Sequence, residues 1–433
     1  MLEGALARRA VDAVEAIGEA SRTPRLGFLT GDEPVQSAQA VEEASLAGGR
    51  AGLATLYAYL AKAGFADRAS ETSQAFLDQA AEAVGDVNMP PSLYGGFTGV
   101  AWTLEHLSDR VGRADDDPNE EIDAALAAYV ARSPWTDDYD LVSGLVGLGV
   151  YALERLPRPG AGALLSMIVD RLEEASVNTE AGTTWLTRPD LLPEHQRREC
   201  PEGYYNLGLA HGVPGVIALL GGACAAGVGG ARARPLLDGA VQWLLSQKCS
   251  DDGGSLFPRW IAPGNPLRPA RSAWCYGDPG IAAALLCAAQ AVGDASWERE
   301  AHEIARFAAA RPPADAGVRG AGLCHGAAGL AHLFNRLFQA TGDEGLAEAA
   351  RFWFTEALNM RQPGRGIAGF AASYPRVEGG VDWIDDPGLL TGAAGIALAL
   401  TAAVTTVEPD WDRMLLVSLP PAARGHAERR TEP

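Results

Sequence analysis

Leu209-Ala210-His211-Gly212-Val213-Pro214-Gly215-Val216-Ile217-Ala218-Leu219-Leu220 is a G-x-x-G step that opens straight into an apolar run. The same arrangement occurs at Gly49-Arg-Ala-Gly52, Gly96-Phe-Thr-Gly99, Gly144-Leu-Val-Gly147, Gly277-Asp-Pro-Gly280, Gly326-Ala-Ala-Gly329 and Gly392-Ala-Ala-Gly395. Successive first glycines stand 47, 48, 68, 65, 49 and 66 residues apart. The short intervals fit two helices with their loops, and the long ones carry insertions. Repetition at such a period is the mark of stacked supersecondary units. Between the steps lie amphipathic segments, Glu120–Ser133, Pro235–Lys248, Trp297–Ala310 and Asp343–Leu358, with apolar residues recurring at three and four. Each repeat therefore reads as an outer amphipathic helix, a glycine loop and an inner helix that is apolar all round. The glycines admit left-handed backbone and close approach of neighbouring loops. A helix with no polar face must be surrounded. A closed double ring of seven helix hairpins, an all-α α/α toroid, provides that, whereas an open stack leaves the inner helices wet.

Composition agrees. Hydrophobic residues make up 47% and charged residues 21% of 433 residues, with a formal charge of −20. An acidic chain with no Lys/Arg stripe is a poor match for nucleic acid. Met1 to Ala20 reads as an amphipathic helix and lacks the apolar core of a secretory signal. Gly208 to Ala231 and Gly388 to Val407 are free of charge over about a membrane span, but their glycines favour helices buried in protein. The six cysteines, without a signal, are expected to be free in a cytoplasmic protein. Cys224 and Cys287, in Ala/Leu-rich stretches, are expected to be core residues. The expected organisation is one toroidal catalytic domain over residues 1–415, a small insertion or long surface loop around 175–205, and a disordered tail over 420–433.

The repeats differ where chemistry is wanted. The residue before each G-x-x-G is in turn Gly48, Gly95, Ser143, His211, Tyr276, His325 and Thr391; the one before that is Ala47, Tyr94, Val142, Ala210, Cys275, Cys324 and Leu390. Copies four to six alone carry metal-capable groups. Equivalent loops of a ring face a common centre, so Cys275, Cys324 and His325 can converge. Two thiolates and an imidazole suit zinc, and three protein ligands leave a position open for catalysis. Taken singly, Cys275 and Cys324 also fit small buried residues, and His325 a hydrogen-bonded core histidine.

Gly-Leu-Ala-His211-Gly, Arg271-Ser-Ala-Trp-Cys275-Tyr276-Gly and Gly-Leu-Cys324-His325-Gly together resemble the lanthionine synthetase C-like cyclases, over about Ser45 to Ala403. The resemblance implies a zinc-dependent toroid that adds peptide cysteine thiols to dehydroalanine or dehydrobutyrine in a dehydrated precursor peptide, closing thioether rings. It implies Cys275, Cys324 and His325 as zinc ligands, His211 as acid/base, and Asp140, in Tyr-Asp140-Leu-Val-Ser-Gly144, as its acidic neighbour. Tyr276 and Arg271 match further active-site positions. A dehydratase and an exporter are the implied partners. Asp140 can also cap the turn ahead of Ser143, Tyr276 can be packing, and Arg271 can serve an ion pair.

Other readings stay open at this point. One is a zinc protein that binds or adds glutathione; another is a zinc-stabilised scaffold of a biosynthetic complex. A toroidal prenyltransferase or glycosidase is disfavoured, since no carboxylate pair falls in register. Asp116-Asp117-Pro-Asn-Glu120 is similar to an acidic magnesium motif, but reads as an acidic cap before a helix. His332, seven residues past His325, is either core or a support for the site.

Overall fold

Every first glycine of the seven steps is the N-cap of a helix. A computed structural model describes residues 1–24, 35–108, 117–249, 254–376 and 380–420. Its helices are α1 (Gly4–Ala20), α2 (Val35–Ala44), α3 (Arg50–Ala63), α4 (Ala69–Asp86), α5 (Phe97–Leu107), α6 (Glu120–Val130), α7 (Leu145–Glu154) and α8 (Ala161–Ala175). They continue as α9 (Glu194–Glu199), α10 (Val213–Ala225), α11 (Gly230–Ser246), α12 (Asp278–Val292), α13 (Ala295–Ala310), α14 (Ala327–Thr341), α15 (Glu344–Asn359) and α16 (Ala393–Val404).

The apolar helices α3, α5, α7, α10, α12, α14 and α16 each pack on the next, and α16 packs back on α3. That closes the inner ring. The outer helices α4, α8, α11, α13 and α15 pack most closely on the inner helix that precedes them, not the one that follows. The hairpin therefore runs inner to outer, the reverse of the order read from the sequence. The last inner helix takes its cover from the other end of the chain. Helix α1 lies on α16, and the Leu2 amide donates to the Ala403 carbonyl at 3.0 Å.

The glycines serve close approach more than left-handed backbone. A Cβ on Gly99 would lie 1.9 Å from the Leu93 carbonyl oxygen, and one on Gly329 would lie 1.7 Å from that of Leu323. The second glycine of every step meets the carbonyl six residues earlier in this way. Of the seven first glycines only Gly277 has a positive φ, 102°.

The loops are also stitched to one another. Amide-to-carbonyl bonds run from Ala47 to Tyr94 (3.0 Å), Leu141 to Ala210 (3.1 Å), Ala210 to Cys275 (3.3 Å), Cys275 to Cys324 (3.4 Å), Cys324 to Leu390 (2.7 Å) and Leu390 to Ala47 (3.0 Å). These bonds run unbroken from the third repeat through the seventh and first to the second, and the two candidate metal-binding cysteines are neighbours on that run.

The two charge-free stretches form α10 and α16, whose side chains are buried by surrounding helices. A Cβ on Gly221 of α10 would sit 2.7 Å from the Ala288 Cα of α12. Among the described residues, no helix is long and apolar enough to cross a membrane. Small sheets decorate the helical ring. Strands β1 (Ser176–Thr179), β2 (Gly182–Thr187), β3 (Tyr204–Asn206) and β4 (Trp260–Ile261) form one antiparallel sheet in that order. Strands β5 (Ala372–Pro375) and β6 (Val381–Ile384) form a hairpin. The residues expected to be an insertion or loop around 175–205 are thus largely the strands of the first sheet and α9.

A 3₁₀ segment, Asp410–Leu415, enters the ring, with Trp411, Asp412, Met414 and Leu415 buried. Tyr94 Oη donates to the Met414 carbonyl (2.8 Å) and Trp274 Nε1 to that of Leu415 (2.9 Å). His332 is a core residue: it stacks on Trp411 and bonds Asp412 at 3.0 Å. All six cysteines are free, and Cys224 and Cys287 are only half-buried, packed against the core and not inside it. Asp117 of the acidic motif pairs with buried Arg155 (2.5 Å) and also accepts the amide of Asn119, the N-cap of α6, at 3.0 Å, ahead of a first turn that carries Glu120, Glu121 and Asp123; Asp116 lies outside the described residues. The tail expected to be disordered, from residue 421 onward, also lies outside them.

Candidate metal centre and acid–base pair

Cys275 and Cys324 sit at the same station of adjacent loops, just ahead of α12 and α14, and His325 follows Cys324. Their ligand atoms lie within 4.8 Å of one another. That is close enough for one ion with bonds of about 2.0–2.3 Å after small side-chain adjustments, and a Cys₂His donor set suits zinc. Cys275 is buried, and Cys324 and His325 are half-buried. The Cys324 thiol lowers the Cys275 pKa well below the ordinary thiol value by hydrogen bonding; burial opposes this, and His325 and Arg271 reinforce it. Cys324 is raised correspondingly by Cys275 and by burial. The direction at Cys275 is the one a thiolate-binding metal requires.

Across the loop from copy four, His211 Nδ1 lies 2.6 Å from Asp140 Oδ2. Asp140 Oδ1 accepts the Ser143 amide at 2.7 Å. The capping and histidine-facing readings of Asp140 are therefore both realised, one on each oxygen. Burial alone would lower the His211 pKa, but the Asp140 hydrogen bond and charge, with Cys275 and Asp138, leave it raised. The His211 side chain remains 41% exposed, so it is reachable from solvent.

The Tyr276 ring lies 6.1 Å from the His211 ring, and its hydroxyl accepts Asn206 Nδ2 at 2.9 Å. Burial is the main cause of its raised pKa. Arg271 is exposed, with no ion pair among the described residues, and its charge acts on both thiols. The structure therefore brings Cys275, Cys324, His325, His211, Asp140, Tyr276 and Arg271 to one mouth of the ring.

Two members were missed from the sequence. Asn206 holds Tyr276 and also accepts the Gly208 amide at 2.8 Å. Asp138 is held at about 6 by burial and by Asp140, with His211 opposing. Both stand six residues before a first glycine, as Arg271 does, so the repeat register was the signal that could have found them.

The model of the family described as "Lanthionine synthetase C-like protein" matches residues 40–416. The chain belongs to the lanthionine synthetase C-like family. It is 26% identical over 272 residues to the nisin biosynthesis protein NisC of Lactococcus lactis subsp. lactis, a match that covers 57% of this chain and 62% of that protein. A solved structure of nisin cyclase superposes with a TM-score of 0.72 at 19% identity, covering 95% of this chain and 97% of the other. That likeness supports the toroid drawn above.

Proposed function

We propose that this family member is a zinc-dependent lanthipeptide cyclase, acting on a dehydrated precursor peptide in the cytoplasm. The observation that carries the reading is the placement of Cys275, Cys324 and His325 at the same mouth of the ring as the His211–Asp140 pair. Zinc held by the three ligands supplies thiol acidification, so that the peptide cysteine is presented as thiolate. The other steps belong to the chain itself. As the sulfur bonds to the β-carbon of dehydroalanine or dehydrobutyrine, the alkene pair moves toward the carbonyl as an enolate. Arg271, exposed and without an ion pair among the described residues, offsets that charge. His211, its proton favoured by Asp140, delivers that proton to the α-carbon and completes the thioether. Tyr276, steadied by Asn206, walls the site beside His211. A dehydratase would supply the alkene, and an exporter would take the product.

A second reading, glutathione as the thiol, has one observation in its favour. A cavity of about 340 Å³ beside the His325 loop is lined by Arg319, Arg365, Phe370 and Trp383, a cationic wall suited to a carboxylate-bearing tripeptide. The test is zinc per chain by mass spectrometry in wild type, Cys275→Ala and Cys324→Ala, followed by incubation with a dehydrated precursor peptide and, separately, with glutathione. About one zinc, lost in both variants, with thioether rings formed in the peptide, is the expected result. A metal-free wild type, or zinc kept by both variants, overturns the reading. Consumption of glutathione alone favours the second.

A further inference from the structure

Thr391 occupies, in the seventh repeat, the station held by His211, Tyr276 and His325 in the three before it. It is not an idle hydroxyl. Thr391 Oγ1 donates to Asp386 Oδ2, and Tyr374 Oη donates to the same oxygen at 2.8 Å and lies 2.6 Å from Thr391 Oγ1. Asp386 Oδ1 accepts the Gly388 amide at 2.6 Å. Asp386 is 2% exposed, and among the described residues its partners are these three neutral donors, with no cation. A buried carboxylate satisfied only by neutral groups is an expensive feature to retain. With its hydrogen directed to Asp386, the Thr391 hydroxyl keeps its oxygen as an acceptor.

Thr391 also lines a small chamber, with His325, Ser373, Gly320, Gly322 and Gly326. It has room for about one water molecule, and its three polar groups are enough to hold one. The Cys324 amide bond to the Leu390 carbonyl, 2.7 Å, clamps the Thr391 loop against the His325 loop. A metal-binding imidazole uses one nitrogen for the ion and needs an acceptor for the N–H of the other, which fixes the ring and strengthens the ligand.

We infer that Asp386, acting through Thr391 and a water in this chamber, positions His325. Asp386 and Thr391 are positioning residues: neither reaches the reacting atoms. The proposal rests on the metal-centre reading. It makes the sixth and seventh repeats a counterpart of the third and fourth, where Asp140 orients His211 directly.

The test is zinc affinity, read by competition with a chromophoric chelator, for wild type, Thr391→Val, Thr391→Ser and Asp386→Asn, with thermal midpoints measured alongside. Thr391→Val keeps the shape and loses the acceptor, and is expected to weaken zinc binding about 10-fold or more. Thr391→Ser, which keeps the hydroxyl, is expected to stay within about 2-fold of wild type on the same argument. Asp386→Asn is expected to follow Thr391→Val. Because Asp386→Asn can disturb folding, the isosteric Thr391→Val decides. Wild-type zinc affinity in Thr391→Val, or equal losses in Thr391→Val and Thr391→Ser, overturns the inference while leaving the metal centre standing. A wild type that binds no zinc removes the metal centre and this inference with it.

Discussion

His211 Nδ1 and Asp140 Oδ2 lie 2.6 Å apart although the residues are 71 positions apart in sequence and belong to successive repeats. The contact ties Nδ1 to the carboxylate, leaves Nε2 as the other ring nitrogen, and raises the imidazole pKa. Asp140→Asn removes the charge, so the His211 pKa should fall, measured by NMR titration. The pH limb of cyclisation that reports His211 should move to lower pH with it. His211→Ala should slow ring closure about 10²–10⁴-fold with zinc content unchanged. Loss of zinc in that variant would show that His211 belongs to the metal site instead.

Asp138 makes stability depend on pH. Its carboxyl is held at about 6 against an ordinary 3.8, so the fold favours the protonated form. The stability tied to this group is full below its ordinary value and is lost as pH rises through about 6. Denaturant midpoints should therefore fall between pH 5 and 7.5 by more in wild type than in Asp138→Asn. Equal slopes would place the titration elsewhere.

Arg155 is 1% exposed and binds Glu105 (2.8 Å), Asp117 (2.5 Å) and Asp123, tying α7 to α5 and α6. Arg155→Ala strands a buried carboxylate at Glu105, with Arg158 the one cation left beside it among the described residues. We expect a loss of about 3–5 kcal/mol by urea unfolding. A change below about 1 kcal/mol would mean that the acids relax into water.

The contact of Gly221 with the Ala288 backbone predicts that Gly221→Val pushes α10 away from α12. Overpacking of this kind costs about 1–3 kcal/mol. A melting curve with no shift would show that the helices part freely.

The ring was legible because one constraint recurs. A glycine six residues past a carbonyl has no alternative in that loop, and Gly99 and Gly329 declare it as plainly as Gly215. Copies four to six were legible for the same reason, since departures stand out against a regular background. What stayed hidden depends on pairing between distant residues. β3 joins β4 through Asn206 and Trp260, with no turn between them to announce the hairpin. Trp274 replaces the leucine found at its station in the other six repeats, and only the fold shows that its indole reaches the Leu415 carbonyl. Asp386 stands six residues before Gly392, in the register of Asp138, Asn206 and Arg271, but the partners that give it a role, Tyr374 and Thr391, meet it only once the chain has folded.

The run of amide-to-carbonyl bonds between loops separates architecture from chemistry. The spacing between neighbouring stations is set by backbone bonds that any side chain can accompany, so the ring behaves like a carousel with interchangeable seats. Ala47 and Tyr94 are linked in the way Cys275 and Cys324 are. A binding centre could therefore be moved around the circle by rewriting a few seats, and the circle itself would not need to be redesigned.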